Sequence, residues 1–214
     1  MRLLQQHFFA QLHRLGRIKH WQTYAMEGGG ETEVRIIDGF KVEITKTHEE
    51  TRFLIKSGRI HCIRMSIYKE DTIASFLTAM YDAGCSIDGN MVRGEKGTRK
   101  MIQIGLDLLK EHGASQVVMT DTSNIPREGK NISLGAMYFL KYGMTWYEKY
   151  FGFKPAERHR EDYETAKIMR KKILDTKTLK DMPCSHFTDK FVSDMFKQIG
   201  FTNFYIIEWV KPLV

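Results

Sequence analysis

Cysteine is scarce in this chain of 214 residues, which has three cysteines at widely separated positions, Cys62, Cys85 and Cys184. Their number is odd, and no two of them have the C-x-x-C spacing. The sequence therefore indicates neither a disulfide framework nor a cysteine-based zinc site. We expect a protein of a reducing compartment, either the cytoplasm or another intracellular space.

Long apolar runs are also lacking. No stretch approaches the roughly 20 consecutive apolar residues that a membrane-spanning helix needs. The first fifteen residues place polar side chains among the apolar ones, unlike the continuous apolar segment of a signal peptide. The sequence therefore predicts a soluble protein with no membrane partner.

Acidic residues are outnumbered, because 26 Asp and Glu face 33 Lys and Arg, which gives a net charge of +7. Such an excess favours anionic ligands, and CoA, nucleic acid and acidic protein surfaces all satisfy it. The eight histidines form no pair beside a cysteine or carboxylate at metal-ligand spacing. We therefore predict no metal site.

Hydrophobic periodicity predicts three segments. Residues 1–30 form an N-terminal part, in which an amphipathic helix over residues 2–20 precedes a glycine-rich linker. Residues 31–156 form the core, which begins with an antiparallel meander of short β-prone runs separated by turn signals such as Asp38-Gly39. Residues 157–214 form a C-terminal extension of helices and a closing strand.

The rest of the core alternates between strands and helices. A short strand over residues 86–92 precedes a helix over 98–112, which Gly113 ends, and a buried strand over 114–120 follows. A polar loop then leads into a helix-compatible stretch over 134–150. Gly143 is a candidate break in that stretch. A meander followed by strand, helix, strand and helix predicts an α/β fold, a mixed sheet with helices on both faces.

The extension should contain two helices and a strand. A charged helix is expected from Glu157, and a second over residues 185–199 has its apolar residues on one face and ends at Gly200. A strand over 204–210 closes the chain.

The segment Met91-Val-Arg-Gly-Glu-Lys-Gly-Thr-Arg99 is a loop of glycines and cations that runs into the first core helix. Backbone amides freed by Gly94 and Gly97 and the positive end of the helix meet the cations Arg93, Lys96 and Arg99. This combination is typical of a phosphate site. A P-loop is the competing motif, but its lysine would stand one residue late and Gly97 would replace Ser or Thr. A tight turn with solvated cations is the third interpretation.

A second segment, Thr145-Trp-Tyr-Glu-Lys-Tyr-Phe-Gly-Phe-Lys-Pro155, follows some fifty residues later. Together, the two segments resemble the GNAT superfamily of acyl-CoA N-acyltransferases. Its phosphate loop reads Gln/Arg-x-x-Gly-x-Gly/Ala, and its "lYeklGF" motif ends the helix after the cofactor strand. With Gly97 at the first glycine, Arg93 stands one residue early and Arg99 occupies the second small position. The resemblance covers about a third of the chain.

The resemblance implies a set of functional residues. Tyr147 matches the tyrosine that protonates the CoA thiolate as the tetrahedral intermediate collapses; the alternative is that its ring packs under the sheet. Asn124 resembles the asparagine that contacts the cofactor arm, or is a turn residue. Backbone amides near Met91 and Val92 would polarise the thioester. The implied cofactor-binding residues are Met91, Val92, Arg93, Gly94, Lys96, Gly97, Thr98, Arg99 and Asn124.

Candidate general bases are carboxylates without a supporting motif, and each is better explained as a turn or edge-strand residue than as a base. They are Glu70, Asp82, Asp88 and Asp121. The chain also departs from the family pattern. Hairpins replace the two usual helices between the first strands, and two helices and one strand replace the usual closing hairpin.

The implied function is a CoA-dependent N-acyltransferase that moves the acetyl group of acetyl-CoA to a primary amine. The acceptor could belong to a small molecule, a polyamine, an amino sugar or a protein. The alternative is a catalytically inactive GNAT-like module whose basic surface binds nucleic acid or a protein partner. Interleaved aromatic residues are compatible with single-stranded nucleic acid, although no RRM signature is present.

Overall fold

A computed structural model describes residues 18–25, 30–57, 60–68, 72–78, 86–87, 90–91, 95–121, 124–127, 130–202, 204 and 207–213. The chain divides into two compact units. The first takes in the residues up to Val117 and those from Pro212 onward, and the second runs from Val118 to Lys211. The predicted division at residues 30 and 156 stays a prediction.

An antiparallel meander dominates the first unit, and each of its strands pairs with the next along the chain. Alternate residues of β2 and β3 are buried, as expected of strands with one face on a core. Asp38 and Gly39 both have positive φ in the tight turn between them. The strands are β1 (Ile18–Ala25), β2 (Glu31–Ile37), β3 (Phe40–Lys46), β4 (Glu50–Ser57), β5 (Ile60–Tyr68) and β6 (Ile73–Thr78).

A short hairpin and a long helix complete the described part of the first unit. The hairpin pairs β7 (Ser86–Ile87) with β8 (Asn90–Met91), where the sequence predicted one strand. Helix α1 (Glu95–Glu111) contacts β4 and β5, and its apolar face, including Met101, Ile104 and Leu108, is buried. Gly113, at φ +86°, follows its end as predicted.

The predicted N-terminal helix over residues 2–20 was wrong at its end, because residues 18–20 belong to strand β1. Its remainder lies outside the described residues. Residues 18–25 include the β-branched Ile18 and Thr23 and the aromatic Trp21 and Tyr24, which are residue types that favour strands.

The second unit packs helices around an aromatic core that includes Phe139, Tyr163, Phe196 and Phe204. Its strands β9, β13 and β12 lie side by side in that order, with β12 antiparallel to β13. The elements that lie wholly or mainly in this unit are β9 (Gln116–Thr120), β10 (Asn124–Arg127), β11 (Lys130–Ser133), α2 (Leu134–Tyr142), α3 (Trp146–Phe151), β12 (Lys154–Pro155), α4 (Glu157–Ile173), α5 (Thr176–Asp181), a 3-10 turn (Cys184–His186), α6 (Asp189–Gln198) and β13 (Glu208–Pro212).

Several predictions for the second unit are confirmed. Gly143, at φ +74°, separates helices α2 and α3, and the charged helix begins at Glu157. Others were wrong. The polar loop contains the antiparallel hairpin of β10 and β11, the short helix α5 was not predicted, and the last two elements begin later than expected, at Asp189 and Glu208.

Strands and helices both contribute to the chain, so it is mixed α/β as predicted. The finer GNAT-like arrangement stays a prediction. Cys62 is disulfide-bonded, which the cysteine spacing did not indicate, and Cys184 is an exposed free thiol. Within the described ranges, no helix is long and apolar enough to cross a membrane.

Candidate functional site

The predicted phosphate site lies at the start of helix α1, in the first unit. The helix begins at Glu95 rather than near residue 98, so Lys96, Gly97 and Thr98 fall within its first turn. Met91 ends the preceding hairpin, paired with Ser86. The other predicted loop residues, Val92, Arg93 and Gly94, lie outside the described residues.

The first turn of α1, like the start of any helix, favours an anion through its backbone. The first four backbone amides of a helix have no partner within it, and the aligned peptide dipoles make that end positive. Arg99 lies on the next turn with its side chain half-buried. Lys100 beside it is exposed and forms an ion pair with Asp38 of the β2–β3 turn, at 3.7 Å.

The opposite end of α1 is held by a buried network of charges. Arg35 on β2 is 2% exposed, and its Nη1 donates to both carboxylate oxygens of Glu111, at 2.9 and 3.1 Å. Its Nε donates to Glu33. Burial raises the pKa of Glu111, although Arg35 opposes that shift. The network fixes the end of α1 against β2 and so restrains the whole helix.

His112, directly after α1, adds a second contact with the meander. Its ring packs edge-on against Phe53 of β4, at 4.9 Å between centroids, and Nδ1 lies 2.9 Å from the carbonyl oxygen of Leu108. Burial lowers the pKa of His112 to about 4, and the positive charges of Arg35 and Lys46 act in the same direction. The ring is therefore neutral at physiological pH.

The predicted proton donor, Tyr147, lies on helix α3 of the second unit. Thr145 starts the helix with a capping box, in which its hydroxyl accepts from the backbone of Glu148 and the Glu148 carboxylate accepts in return. Tyr147 is 5% exposed, with Trp146 and Phe153 packed edge-on against its ring at 5.2 and 6.0 Å. This packing agrees with the core role, and the catalytic role stays a prediction.

Glu148 links helices α3 and α4, a role that the sequence did not predict. Its carboxylate accepts from the hydroxyl of Tyr163 at 2.5 Å and from the ammonium of Lys167 at 2.7 Å, both on α4. Burial raises the pKa of Tyr163, and the negative charge of Glu148 raises it further. These bonds fix α3 against α4, and therefore hold the helix that carries Tyr147.

Asn124 lies in strand β10 rather than in a turn, paired with Ser133. Ser133 in turn caps helix α2, because its hydroxyl accepts from the amide of Ala136 at 3.2 Å. The last residue of the hairpin is therefore also the N-cap of α2. Contact between Asn124 and a cofactor arm stays a prediction.

Of the candidate bases, Asp121 can be located, whereas Glu70, Asp82 and Asp88 lie outside the described residues. Asp121 directly follows β9, is 8% exposed and packs against the first turn of α2. A Cβ on Gly135 would collide with its Oδ2. The glycine is therefore needed for the carboxylate to approach the helix.

One open cavity in the second unit contains none of the predicted site residues. It has a volume of about 500 Å³ and lies beside α5 and the 3-10 turn. Among the described residues, no cluster of His, Cys, Asp and Glu could hold a metal ion. The cavity is lined by Lys177, Thr178, Asp181, Met182, Pro183 and His186.

Comparisons with protein-family models, with curated proteins and with solved structures found no match to this chain. The likeness to the GNAT superfamily therefore depends on the residues of the glycine loop and of the segment around Tyr147. The first group belongs to the first unit, and Asn124 and Tyr147 belong to the second.

Proposed function

We propose that this protein is a CoA-dependent N-acyltransferase that transfers the acetyl group of acetyl-CoA to a primary amine. The observation that carries the proposal is the start of helix α1, where Lys96, Gly97 and Thr98 lie in the first turn after Glu95 and Arg99 follows. Pyrophosphate oxygens suit such a turn, because its amides and cations supply donors and positive charge together.

The order of elements supports the same proposal. A meander, helix α1, strand β9 and helices α2 and α3 follow one another, as the resemblance implies. In the family, a hairpin closes the chain after the Gly-Phe pair. Here β12 follows Phe153 directly and pairs antiparallel with β13, and helices α4 to α6 are inserted between the two strands.

The proposed reaction is direct attack. The neutral amine nitrogen bonds to the thioester carbonyl carbon, and the carbon–sulfur bond then breaks. The leaving thiolate takes the hydroxyl proton of Tyr147, and the proton released by the amine nitrogen, relayed through water, restores the phenol. The Glu148 contacts with α4 would keep Tyr147 in position for this step.

Calorimetric titration of the purified protein with CoA and acetyl-CoA tests the cofactor site. Lys96→Ala and Arg99→Ala should each weaken binding by about tenfold or more, because each removes a charged contact to phosphate. Lys110→Ala is the matched control, since this exposed lysine is in the last turn of the same helix. Absence of saturable binding by the wild type would contradict the proposal.

Turnover distinguishes an enzyme from the inactive module that the sequence also allows. CoA release should be measured with acetyl-CoA and a panel containing a polyamine, an amino sugar and a lysine peptide. Tyr147→Phe should lower kcat by about a hundredfold or more with CoA affinity unchanged. CoA binding by a wild type that acetylates none of these amines would favour the inactive module.

A further inference from the structure

Three tyrosines of the second unit converge on one exposed lysine. The Nζ of Lys149 lies 5.6 Å from the ring centre of Tyr138, 5.4 Å from that of Tyr142 and 4.9 Å from that of Tyr150. It also donates to the hydroxyl of Tyr138 at 3.1 Å. We call Tyr138, Tyr142, Lys149 and Tyr150 the tyrosine cluster.

Local sequence assembles the tyrosine cluster. Tyr138 and Tyr142 are four residues apart on α2, so their rings lie on one face, 4.4 Å apart between centroids. Gly143 ends the helix in the left-handed conformation, and its amide donates to the carbonyl oxygen of Phe139 at 2.7 Å. The chain then starts α3, which brings Lys149 and Tyr150 against the α2 pair.

The cluster is a surface feature rather than part of the core. Tyr142 is 40% exposed and Lys149 is exposed, whereas Phe139 and Tyr163 of the same unit are fully buried. Met144, in the turn between the two helices, is 36% exposed. Large aromatic faces left at a surface are a frequent mark of a binding site.

Charge indicates what the cluster binds. Within the part of the chain that the structure describes, Lys149 forms no ion pair with a carboxylate, whereas Lys167 pairs with both Glu148 and Glu164. The aromatic faces therefore stand beside a cation that has not been neutralised, in a chain of net charge +7. Aromatic faces combined with such a cation are complementary to flat bases joined by phosphates.

We propose that the tyrosine cluster binds single-stranded nucleic acid, with the rings stacking on bases and Lys149 contacting a backbone phosphate. Binding requires the ammonium to leave the ring faces, which exposes them to the bases. The flexible lysine side chain makes that exchange possible without a change in the helices. This site does not depend on acyltransferase activity, and its residues differ from those proposed to bind CoA.

Fluorescence anisotropy with a labelled oligo(dT) of about 12 nucleotides tests the proposal. Tyr142→Ala should weaken binding by about 5- to 150-fold, and Tyr142→Phe, which keeps the ring, should restore most of it. Tyr68→Ala is the matched control, because this tyrosine of β5 is 53% exposed and lies in the first unit. Circular dichroism and melting temperature establish that each variant is folded.

Two further binding measurements distinguish the contribution of base stacking from that of the lysine charge. An abasic oligonucleotide of the same length and charge should bind more weakly than oligo(dT), because it offers phosphates without bases. Lys149→Ala should weaken binding and lower the salt dependence of log affinity by about one. The proposal is overturned if the wild type does not bind oligo(dT), if the abasic chain binds equally well, or if Tyr142→Ala matches Tyr68→Ala.

Discussion

Each unit buries an arginine, and the two arginines are satisfied in different ways. Arg35 of the first unit is 2% exposed and donates to the carboxylates of Glu33 and Glu111. Arg170 of the second unit is 4% exposed, and its donors reach carbonyl oxygens, those of Leu140 at 2.8 Å and Lys141 at 2.8 Å. One guanidinium is matched by full charges and the other by the end of a helix.

The difference follows from what each element offers. The last carbonyls of a helix lack partners within it and carry partial negative charge, so Arg170 completes α2 as a cap. Glu111, by contrast, places a carboxylate at the negative end of α1, which is unfavourable unless a cation is near. The arrangement around Arg35 therefore depends on a balance of full charges, and the arrangement around Arg170 depends on hydrogen bonds.

The largest expected effect is that of Arg35→Met. It leaves the carboxylates of Glu33 and Glu111 buried without their cation, so we expect a loss of about 3 to 5 kcal/mol in the free energy of unfolding. Urea denaturation measures it. The loss should grow as pH rises, because uncompensated buried carboxylates have raised pKa values and favour protonation.

The control for Arg35→Met is a substitution near the start of α1, at the end of the helix away from Arg35. Lys100→Met breaks the exposed ion pair with Asp38, and such pairs contribute at most about 1 kcal/mol. Adding Glu33→Gln and Glu111→Gln to Arg35→Met should restore part of the stability. Equal losses for Arg35→Met and Lys100→Met would show that burial does not set the energy of this network.

The second prediction concerns pH and His112. Its pKa falls from an ordinary 6.5 to about 4, so between these values the unfolded chain binds a proton that the folded state does not. Stability should fall as pH decreases through this window, by up to about 1.4 kcal/mol per pH unit. Denaturation at steps across the window, compared with His112→Gln, isolates the effect.

Other groups around His112 make the comparison with His112→Gln necessary. The charges of Arg35, Lys46 and Glu33 act on the pKa of the ring, and Glu111 precedes it in the chain. The raised pKa of Glu111 has the opposite sign, because its contribution is present at low pH and is lost as pH rises through its folded pKa. If wild type and His112→Gln have the same pH slope, the ring does not titrate as described.

How much of the fold and of the candidate site could be predicted from the sequence depends on how far apart in the chain the residues that form each feature are. The break at Gly143 and the start of α4 at Glu157 were predicted, because glycine and helical periodicity act locally. The β10–β11 hairpin was missed, because its short strands are polar and β10 contains Pro126, a residue that disfavours strands.

The networks around the candidate site were beyond prediction for a different reason. Arg35 and Glu111 are separated by 76 positions, and periodicity indicates which face of a strand is buried but not which distant charge meets it. The tyrosine cluster had a local signal in Tyr138 and Tyr142, four residues apart. That signal is the same for a packed pair and for a surface pair, and exposure is decided by tertiary structure.

The third prediction has the smallest effect and concerns Arg170. Arg170→Met removes two hydrogen bonds to the end of α2 but leaves no carboxylate without a partner, so we expect a loss of about 1 to 3 kcal/mol. The control is Lys171→Met, a substitution at the exposed neighbouring residue. It should change stability by less than about 0.5 kcal/mol.

Urea denaturation at both ends of the pH window separates the two kinds of buried arginine. The loss caused by Arg170→Met should be the same at each pH, because carbonyl oxygens do not titrate and the variant loses only hydrogen bonds. The loss caused by Arg35→Met should change with pH. A pH-dependent loss for Arg170→Met would mean that a titrating group shares its site, and the distinction between charge balance and helix capping would then fail.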